Sequence, residues 1–178
     1  TPIVAWVTHA ASALTVLADA LVVLILFAIV FRGGPGRNAF AFFARHAVAA
    51  SFAVAVVSLL GSLFYSEFAG FPPCTLCWIQ RICIYPQVIL LGLILYRYDA
   101  KIVVASLALS AIGGAVAAYN QYLQFGGDPL VPCGAGSGTV LCAQRFFVEF
   151  GYMTIPMMSL TAFALIGSLL FAERIHRG

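Results

Sequence analysis

Charged residues are the scarcest class in this 178-residue sequence: Asp, Glu, Lys and Arg together make up 8% of it, against 63% hydrophobic residues. A soluble domain of this length needs a charged surface that this composition cannot supply, so the bilayer is its natural solvent. The net charge of +3 does not indicate a nucleic-acid partner, because the nine basic residues form no patch. Three scattered histidines without metal-ligand spacing give no metal site either. The sequence therefore predicts a single integral membrane domain over residues 1–178.

Long apolar runs fill most of the chain. A membrane-spanning helix needs ~20 mainly apolar residues. The first run is too long for a cleaved signal peptide and has no basic segment before it, so we expect it to remain as a span. The prediction is an all-α membrane protein with outer loops at about 67–75 and 125–152. Its spans are expected at about 3–31, 47–66, 76–96, 102–124 and 153–171.

The basic residues predict the orientation of these spans. Most of them fall between spans one and two, between spans three and four, or after span five, and these three segments must lie on one side of the membrane. The positive-inside rule makes that side the cytoplasm. We therefore expect the amino-terminus outside, the carboxyl-terminus in the cytoplasm and both outer loops on the extracytoplasmic face. The residues concerned are Arg32, Arg37, Arg45, Arg97, Lys101, Arg174 and Arg177.

Four of the five cysteines fall on the predicted outer face. Cys74 and Cys77 open span three, Cys133 and Cys142 lie in the second outer loop, and Cys83 lies deeper in span three. Disulfides form and persist on that face. Three interpretations remain open from spacing alone: two structural disulfides, a zinc site with four thiolate ligands, or two dithiol pairs that exchange electrons.

The context of Cys74 and Cys77 favours the redox interpretation. The helix of span three can begin only after Pro72 and Pro73, which places the Cys-x-x-Cys at a helix N-terminus. Unpaired N–H groups and the helix dipole favour a thiolate there. A disulfide across two intervening residues closes so small a loop that it stabilises the fold little.

Arg81 follows on the same face of the predicted helix, four residues after Cys77 and seven after Cys74. A charged side chain inside a span usually points into the bundle and marks a functional site. The alternative is that Arg81 extends to the outer headgroups. If it points inward, its guanidinium can anchor an oxygen-bearing electron acceptor within the bilayer, and a lipid-soluble quinone fits that description.

The run CTLCWIQRICIYPQ, with the topology and the second cysteine pair, resembles the DsbB/BdbC family of bacterial disulfide-bond formation proteins. The resemblance covers about residues 45–175. It implies a four-helix transmembrane bundle, to which this chain adds one N-terminal transmembrane helix. Vitamin K epoxide reductase-like proteins share the bundle, but their loop pair precedes the Cys-x-x-Cys, and the order here argues against them.

The resemblance also implies roles for single residues. Cys74 and Cys77 match the pair next to the quinone, with Cys77 facing it, and Arg81 matches the quinone-site arginine. Cys133 and Cys142 match the pair that oxidises a DsbA-like thioredoxin-fold partner. The implied activity is that of a thiol:quinone oxidoreductase of the bacterial inner (plasma) membrane, which uses ubiquinone or menaquinone. The alternative is a non-catalytic membrane protein with structural disulfides.

Two further expectations concern the remaining polar and aromatic residues. Asp19, well within span one, is expected to pair with a polar neighbour. The segment AQRFFVEFGY, with Phe146, Phe147 and Phe150, is either a short interfacial helix or an aromatic belt that leads into span five.

Overall fold

A computed structural model describes residues 2–34, 36–128, 145–146 and 148–177. Within these ranges five α-helices are each long and apolar enough to cross a membrane. The same residues contain no strand, only an isolated bridge between Glu149 and Met153. The predicted all-α membrane bundle is therefore confirmed. The helices are α1 (Pro2–Val30), α2 (Arg37–Leu63, extended by a π-helical turn at Phe64–Phe68), α3 (Thr75–Tyr96), α4 (Ala100–Gln124) and α5 (Ile155–Arg177).

Three spans match their predicted bounds to within two residues, whereas α2 is longer at its amino-terminal end and α5 at its carboxyl-terminal end. Helix α2 begins at Arg37 instead of residue 47, and α5 continues to Arg177 instead of residue 171. Both extensions carry charged residues, among them Arg45 and Glu173. Hydropathy locates the part of a helix that lies in hydrocarbon, whereas backbone hydrogen bonds continue into the polar headgroup region.

Helices α2, α3, α4 and α5 form a four-helix ring in which each packs against its two neighbours, and α1 lies outside the ring against α5 and α2. The core of the ring is apolar, with Leu91, Ile166 and Leu170 fully buried. Large apolar side chains such as Ile82 and Ile89 remain exposed on the outer surface. In a bilayer these side chains face lipid, where their exposure costs nothing.

Glycine permits a close contact between α4 and α5. A Cβ at Gly113 would lie 2.4 Å from Cζ of Phe163, whereas one at the neighbouring Gly114 would meet only Cβ of Phe163, at 3.6 Å. Membrane helices use small residues in this way to bring backbones together. The aromatic ring of Phe163 therefore occupies the space that a side chain at Gly113 would need.

The segment before α5 is not a helix in its described part. Glu149 and Met153 exchange two backbone hydrogen bonds, from Met153 N to Glu149 O at 2.8 Å and from Glu149 N to Met153 O at 2.9 Å. Phe150 and Gly151 complete the tight turn with positive φ angles of 52° and 80°. The interpretation of this segment as a short interfacial helix is therefore wrong for residues 145, 146 and 148–152.

We expect Gly113→Ala to lower the free energy of unfolding by about 1–3 kcal/mol, because the new methyl group overlaps the Phe163 ring. Gly114→Ala is the matched control and should be neutral or slightly stabilising, since alanine is the better helix former. Unfolding of the purified protein in detergent measures both changes. Equal effects from the two variants would contradict the packing described for Gly113.

Candidate active site

Cys74 and Cys77 form a close pair at the beginning of α3. Cys74 is the N-cap residue, with an extended backbone (φ −75°, ψ 170°), and Cys77 N donates a hydrogen bond to Cys74 Sγ at 3.4 Å. The two sulfur atoms lie 3.0 Å apart. Pro72 and Pro73 precede the helix, as the sequence predicts. A thiolate at this end of the helix is stabilised by backbone N–H groups and by the helix dipole.

Asn120 of α4 contributes a polar contact that sequence reasoning missed. Its Nδ2 lies 3.7 Å from Cys77 Sγ in donor geometry, and the asparagine is fully buried. An N–H group directed at sulfur favours the ionised form of that thiol. No sequence pattern connects two residues 43 positions apart, so only the packing of α3 on α4 reveals this contact.

Arg81 points into the bundle and not towards the headgroups, with 8% of its surface exposed. Its Nε donates to Ser62 Oγ at 2.9 Å, and its Nη2 donates to the Ser62 carbonyl at 2.8 Å. The guanidinium carbon also lies 5.3 Å from the centre of the Trp78 ring. Two of its five N–H donors are thus used by α2, and within the described residues no hydrogen bond is seen for the other three, which suits them to bind a ligand.

Ser62 lies at the point where α2 changes character. The π-helical turn Phe64–Phe68 begins two residues later, and its wider register appears in the hydrogen bond from Ala69 N to Phe64 O at 3.0 Å. Turns of this kind occur frequently at functional sites. Nothing in the sequence singles out Ser62, because a serine in an apolar run has many structural uses.

A cavity of about 500 Å³ opens beside the dithiol, between α1, α2, α3 and α5. Cavities that hold organic ligands commonly have volumes of about 300–1,000 Å³. Cys77, Gln80 and Arg81 line the end next to the dithiol, whereas the deeper part is lined mainly by aliphatic side chains such as Leu21 and Val54. Cys74 is not part of the lining. The arrangement suits a ligand with a polar head and an apolar body.

Aromatic rings line the outer end of this cavity. Phe71 stacks on Phe146, with ring centres 4.6 Å apart and planes at 11° to each other, and on Tyr65 at 6.1 Å and 8°. All three side chains belong to the lining. Such a stack gives this end of the cavity a largely aromatic wall.

Gln80 indicates where a ligand could bind. It is 6% exposed, it lines the cavity, and its Nε2 has no hydrogen-bond partner among the described residues. A buried amide donor without a partner costs about 1–3 kcal/mol, which a ligand oxygen would recover. Gln80 and Arg81 together therefore provide donors that fit a carbonyl-bearing ligand such as a quinone.

Of the other three cysteines, the structure describes only Cys83. Cys133 and Cys142 fall outside the described residues, so the geometry of the second pair and the four-cysteine zinc interpretation both stay untested. Cys83 is buried in the apolar core of the ring, as expected of a structural cysteine.

Five spanning helices that hold a close pair of cysteine sulfurs at one end define a class of protein, the multi-pass membrane proteins of disulfide chemistry. Within that class the chain belongs to the DsbB family: residues 44–172 match the family described as "Disulfide bond formation protein DsbB". Its role is therefore in disulfide bond formation.

Curated relatives agree with this assignment. The chain is 38% identical to the disulfide bond formation protein C of Bacillus subtilis, over 66% of this chain and 84% of the relative. It is 36% identical to a probable disulfide formation protein of Chlamydia pneumoniae, over 77% and 98%. A probable disulfide formation protein C 2 of Bacillus anthracis is 33% identical, over 75% and 94%. No solved structure matches the chain.

We expect Ser62→Ala to lower the free energy of unfolding by about 1–2 kcal/mol, because it removes a hydrogen bond to a buried charged group. Ser66→Ala is the matched control: Ser66 also lines the cavity, but its hydroxyl bonds only Leu63 O and Glu67 on its own helix. Its loss should change stability by less than about 0.5 kcal/mol. Detergent unfolding curves compare the two, and a larger loss for Ser66→Ala would contradict the role of Ser62.

Proposed function

We propose that this protein is a membrane thiol:quinone oxidoreductase that reoxidises an extracytoplasmic thioredoxin-fold disulfide donor of DsbA type. The observation that carries the proposal is that Cys77, Gln80 and Arg81 line one cavity at the amino-terminal end of α3. Membership of the DsbB family supports the disulfide chemistry. The cavity supports an acceptor that arrives from the lipid phase.

The dithiol is the electron donor in this reaction. When the sulfur atoms of Cys74 and Cys77 join, two S–H bonds break, one S–S bond forms, and two electrons and two protons leave the pair. A bound quinone, either ubiquinone or menaquinone, accepts both electrons and both protons and departs as the quinol. The 3.0 Å separation of the two sulfur atoms supports a ready closure of the disulfide.

Each polar residue of the site has a physical role in this proposal. The N-terminus of α3 and the Asn120 amide stabilise the negative charge that develops on sulfur during the exchange. The guanidinium of Arg81 holds a carbonyl oxygen and stabilises the negative charge that develops on it. Gln80 donates a second hydrogen bond to the ligand. Cys77 is the thiol that faces the ligand, since it lines the cavity and Cys74 does not.

Cys133 and Cys142 are the proposed entry point for electrons. A reduced partner gives two electrons to their disulfide in two thiol–disulfide exchanges, which leaves the partner oxidised and this pair reduced. Two further exchanges, now with the Cys74–Cys77 disulfide, reoxidise Cys133 and Cys142 to their disulfide and leave Cys74 and Cys77 reduced. These assignments rest on the family resemblance, because neither outer cysteine is described by the structure.

The proposed location is the plasma membrane of a bacterium, with the dithiol on the extracytoplasmic face. The distribution of arginine and lysine supports this orientation. The carboxyl-terminal end of α5, with Arg174 and Arg177 in its last turn, then lies at the cytoplasmic surface.

The first test is quinone reduction by the purified protein with a tailless quinone and a reduced thioredoxin-fold donor, followed by quinone absorbance. We expect Cys77→Ser to abolish the reaction, because no disulfide can then form in the inner pair. We expect Arg81→Ala to raise the KM for quinone at least tenfold, since a charge-assisted hydrogen bond contributes about 1.5–3 kcal/mol.

Cys83→Ala is the control for Cys77→Ser, because Cys83 lies on the same helix but in the apolar core. This variant should keep the wild-type rate. Quinone reduction that persists in Cys77→Ser would contradict the proposed function. Failure of the wild type with both quinone classes and several donors would favour structural disulfides, or zinc if metal analysis finds it.

The second test concerns the outer pair. With Cys142→Ser and an oxidised donor, the Cys133 thiolate attacks the donor disulfide: the donor S–S bond breaks, a Cys133–donor S–S bond forms, and the second donor cysteine leaves as a thiolate. Because Cys142 is absent and cannot displace the donor from Cys133, we expect this mixed disulfide to accumulate. Non-reducing gel electrophoresis followed by mass mapping of the cross-linked peptide detects it. Cys133→Ser is the matched control and should trap markedly less donor. Equal trapping by both variants would contradict the assignment of Cys133 as the point of attack.

A further inference from the structure

Helix α1 is not part of the family match, which begins at residue 44. The aligned regions also cover 94% of the Bacillus anthracis relative and 98% of the Chlamydia pneumoniae relative, which leaves too few residues in either for another spanning helix. Family membership therefore does not explain what α1 does in this chain.

Polar contacts hold α1 in a fixed position against the ring. Within the span, Thr161 Oγ1 of α5 donates a hydrogen bond to Asp19 Oδ1 at 2.6 Å. Near its amino end, His9 Nδ1 lies 3.2 Å from Glu149 Oε2. The expectation that Asp19 has a polar partner is thus confirmed. A membrane anchor without a further role would need neither contact, because apolar side chains alone keep a helix in the bilayer.

Below these contacts, α1 packs tightly on α2 and α5. Ile25 and Ala28 of α1 form an apolar cluster with Ala47 of α2 and Leu165 and Leu169 of α5. Above this cluster, towards the dithiol, the three helices separate, and the cavity occupies the space between them. Helix α1 thus closes a side of the cavity that the four-helix ring alone would leave open to lipid.

The face that α1 turns to the cavity has small side chains at its centre. Ala11, Thr15 and Ala18 follow one another at helical spacing and line the cavity, and Leu21 continues the line towards the apolar cluster. The Thr15 hydroxyl already donates a hydrogen bond to the Ala11 carbonyl at 2.7 Å, so an apolar ligand beside it leaves no unpaired donor. From Ala11 to Leu21 the lined length is about 15 Å.

This part of the cavity continues inward from the polar end at Gln80 and Arg81. A quinone headgroup held there must place its substituent somewhere, and the apolar space between α1, α2 and α5 is directly connected to it. The depth and the aliphatic lining suit a prenyl tail, whereas the small headgroup would leave this volume unfilled.

We infer that α1 forms the binding wall for the isoprenoid tail of the quinone, and that Ala11 and Ala18 determine the preference of this protein for long-tailed quinones. The inference rests on the proposed quinone reductase function and adds the part of the substrate that the family core does not enclose. The tail is the occupant, bound alongside α1 while the headgroup lies at Arg81.

The experiment compares Ala11→Phe and Ala18→Phe with Ala13→Phe and Ala20→Phe, which add the same ring to the lipid-exposed side of α1. We expect the two cavity variants to lose at least tenfold in affinity for a long-tailed quinone, because a phenyl ring fills the space of the tail. Quinone content after purification and direct titration with the long-tailed quinone measure this loss. The KM for a tailless quinone should stay within about twofold, and both controls should resemble the wild type.

A second readout does not depend on activity. A long-tailed quinone with a photoreactive group on the tail should label peptides of α1 in the wild type, and Ala18→Phe should reduce that labelling. If Ala18→Phe fails to fold, Ala18→Leu and the labelling of the wild type decide the matter.

Two outcomes are distinguishable. If the wild type reduces both quinones but the cavity variants retain long-tailed quinone and α1 is not labelled, the inference about α1 fails while the proposed function stands. If the wild type reduces neither quinone, the proposed function itself fails, and the inference fails with it.

Discussion

The burial of one guanidinium group constrains this structure more than any other single interaction. Arg81 lies within a membrane span, where an unpaired charge is costly, so it must find partners inside the protein. Ser62 supplies both a hydroxyl and a carbonyl, which fixes the outer half of α3 against α2. The same helix begins at the dithiol, so the position of the charge also sets the position of the sulfur atoms. A buried charge whose other donors have no partner among the described residues is costly to the fold, and this is the pattern expected of a residue that binds a ligand.

Much of this arrangement can be read from the sequence, and the reason is the solvent. A bilayer allows only helices to span it here, so apolar runs predict the helices, and Pro72–Pro73 predicts where α3 begins. Helical periodicity likewise predicts that Cys77 and Arg81 share a face. The sequence does not reveal Ser62 or Asn120, because each meets its partner through helix packing between distant positions. Nor does it reveal Phe150 at positive φ, since a run of aromatic residues is equally compatible with a helix.

The two ends of the bundle have different physical characters. At the end away from the dithiol, Ile25, Ala28 and Leu169 pack into an apolar core. At the opposite end the helices separate, polar side chains face a cavity, and a π-helical turn replaces regular helix in α2. Stability and chemistry are thus separated along the bundle axis: the closed half holds the helices together, so the other half can remain open without loss of the fold.

The position of α1 shows how a helix outside the family core can change a site without altering its chemistry. The proposed reacting groups are the cysteines at the start of α3 and the pair Cys133 and Cys142, and α1 contributes none of them. It contributes shape, because the hydrogen bond between Asp19 and Thr161 holds it beside the cavity, whose lining includes Thr161. Apolar contact along a tail adds affinity in proportion to the area buried, whereas the polar contacts at Arg81 set the orientation of the headgroup. On our proposal, a chain with this helix binds a prenylated ligand more tightly than the four-helix core alone, while the dithiol and its arginine remain the same.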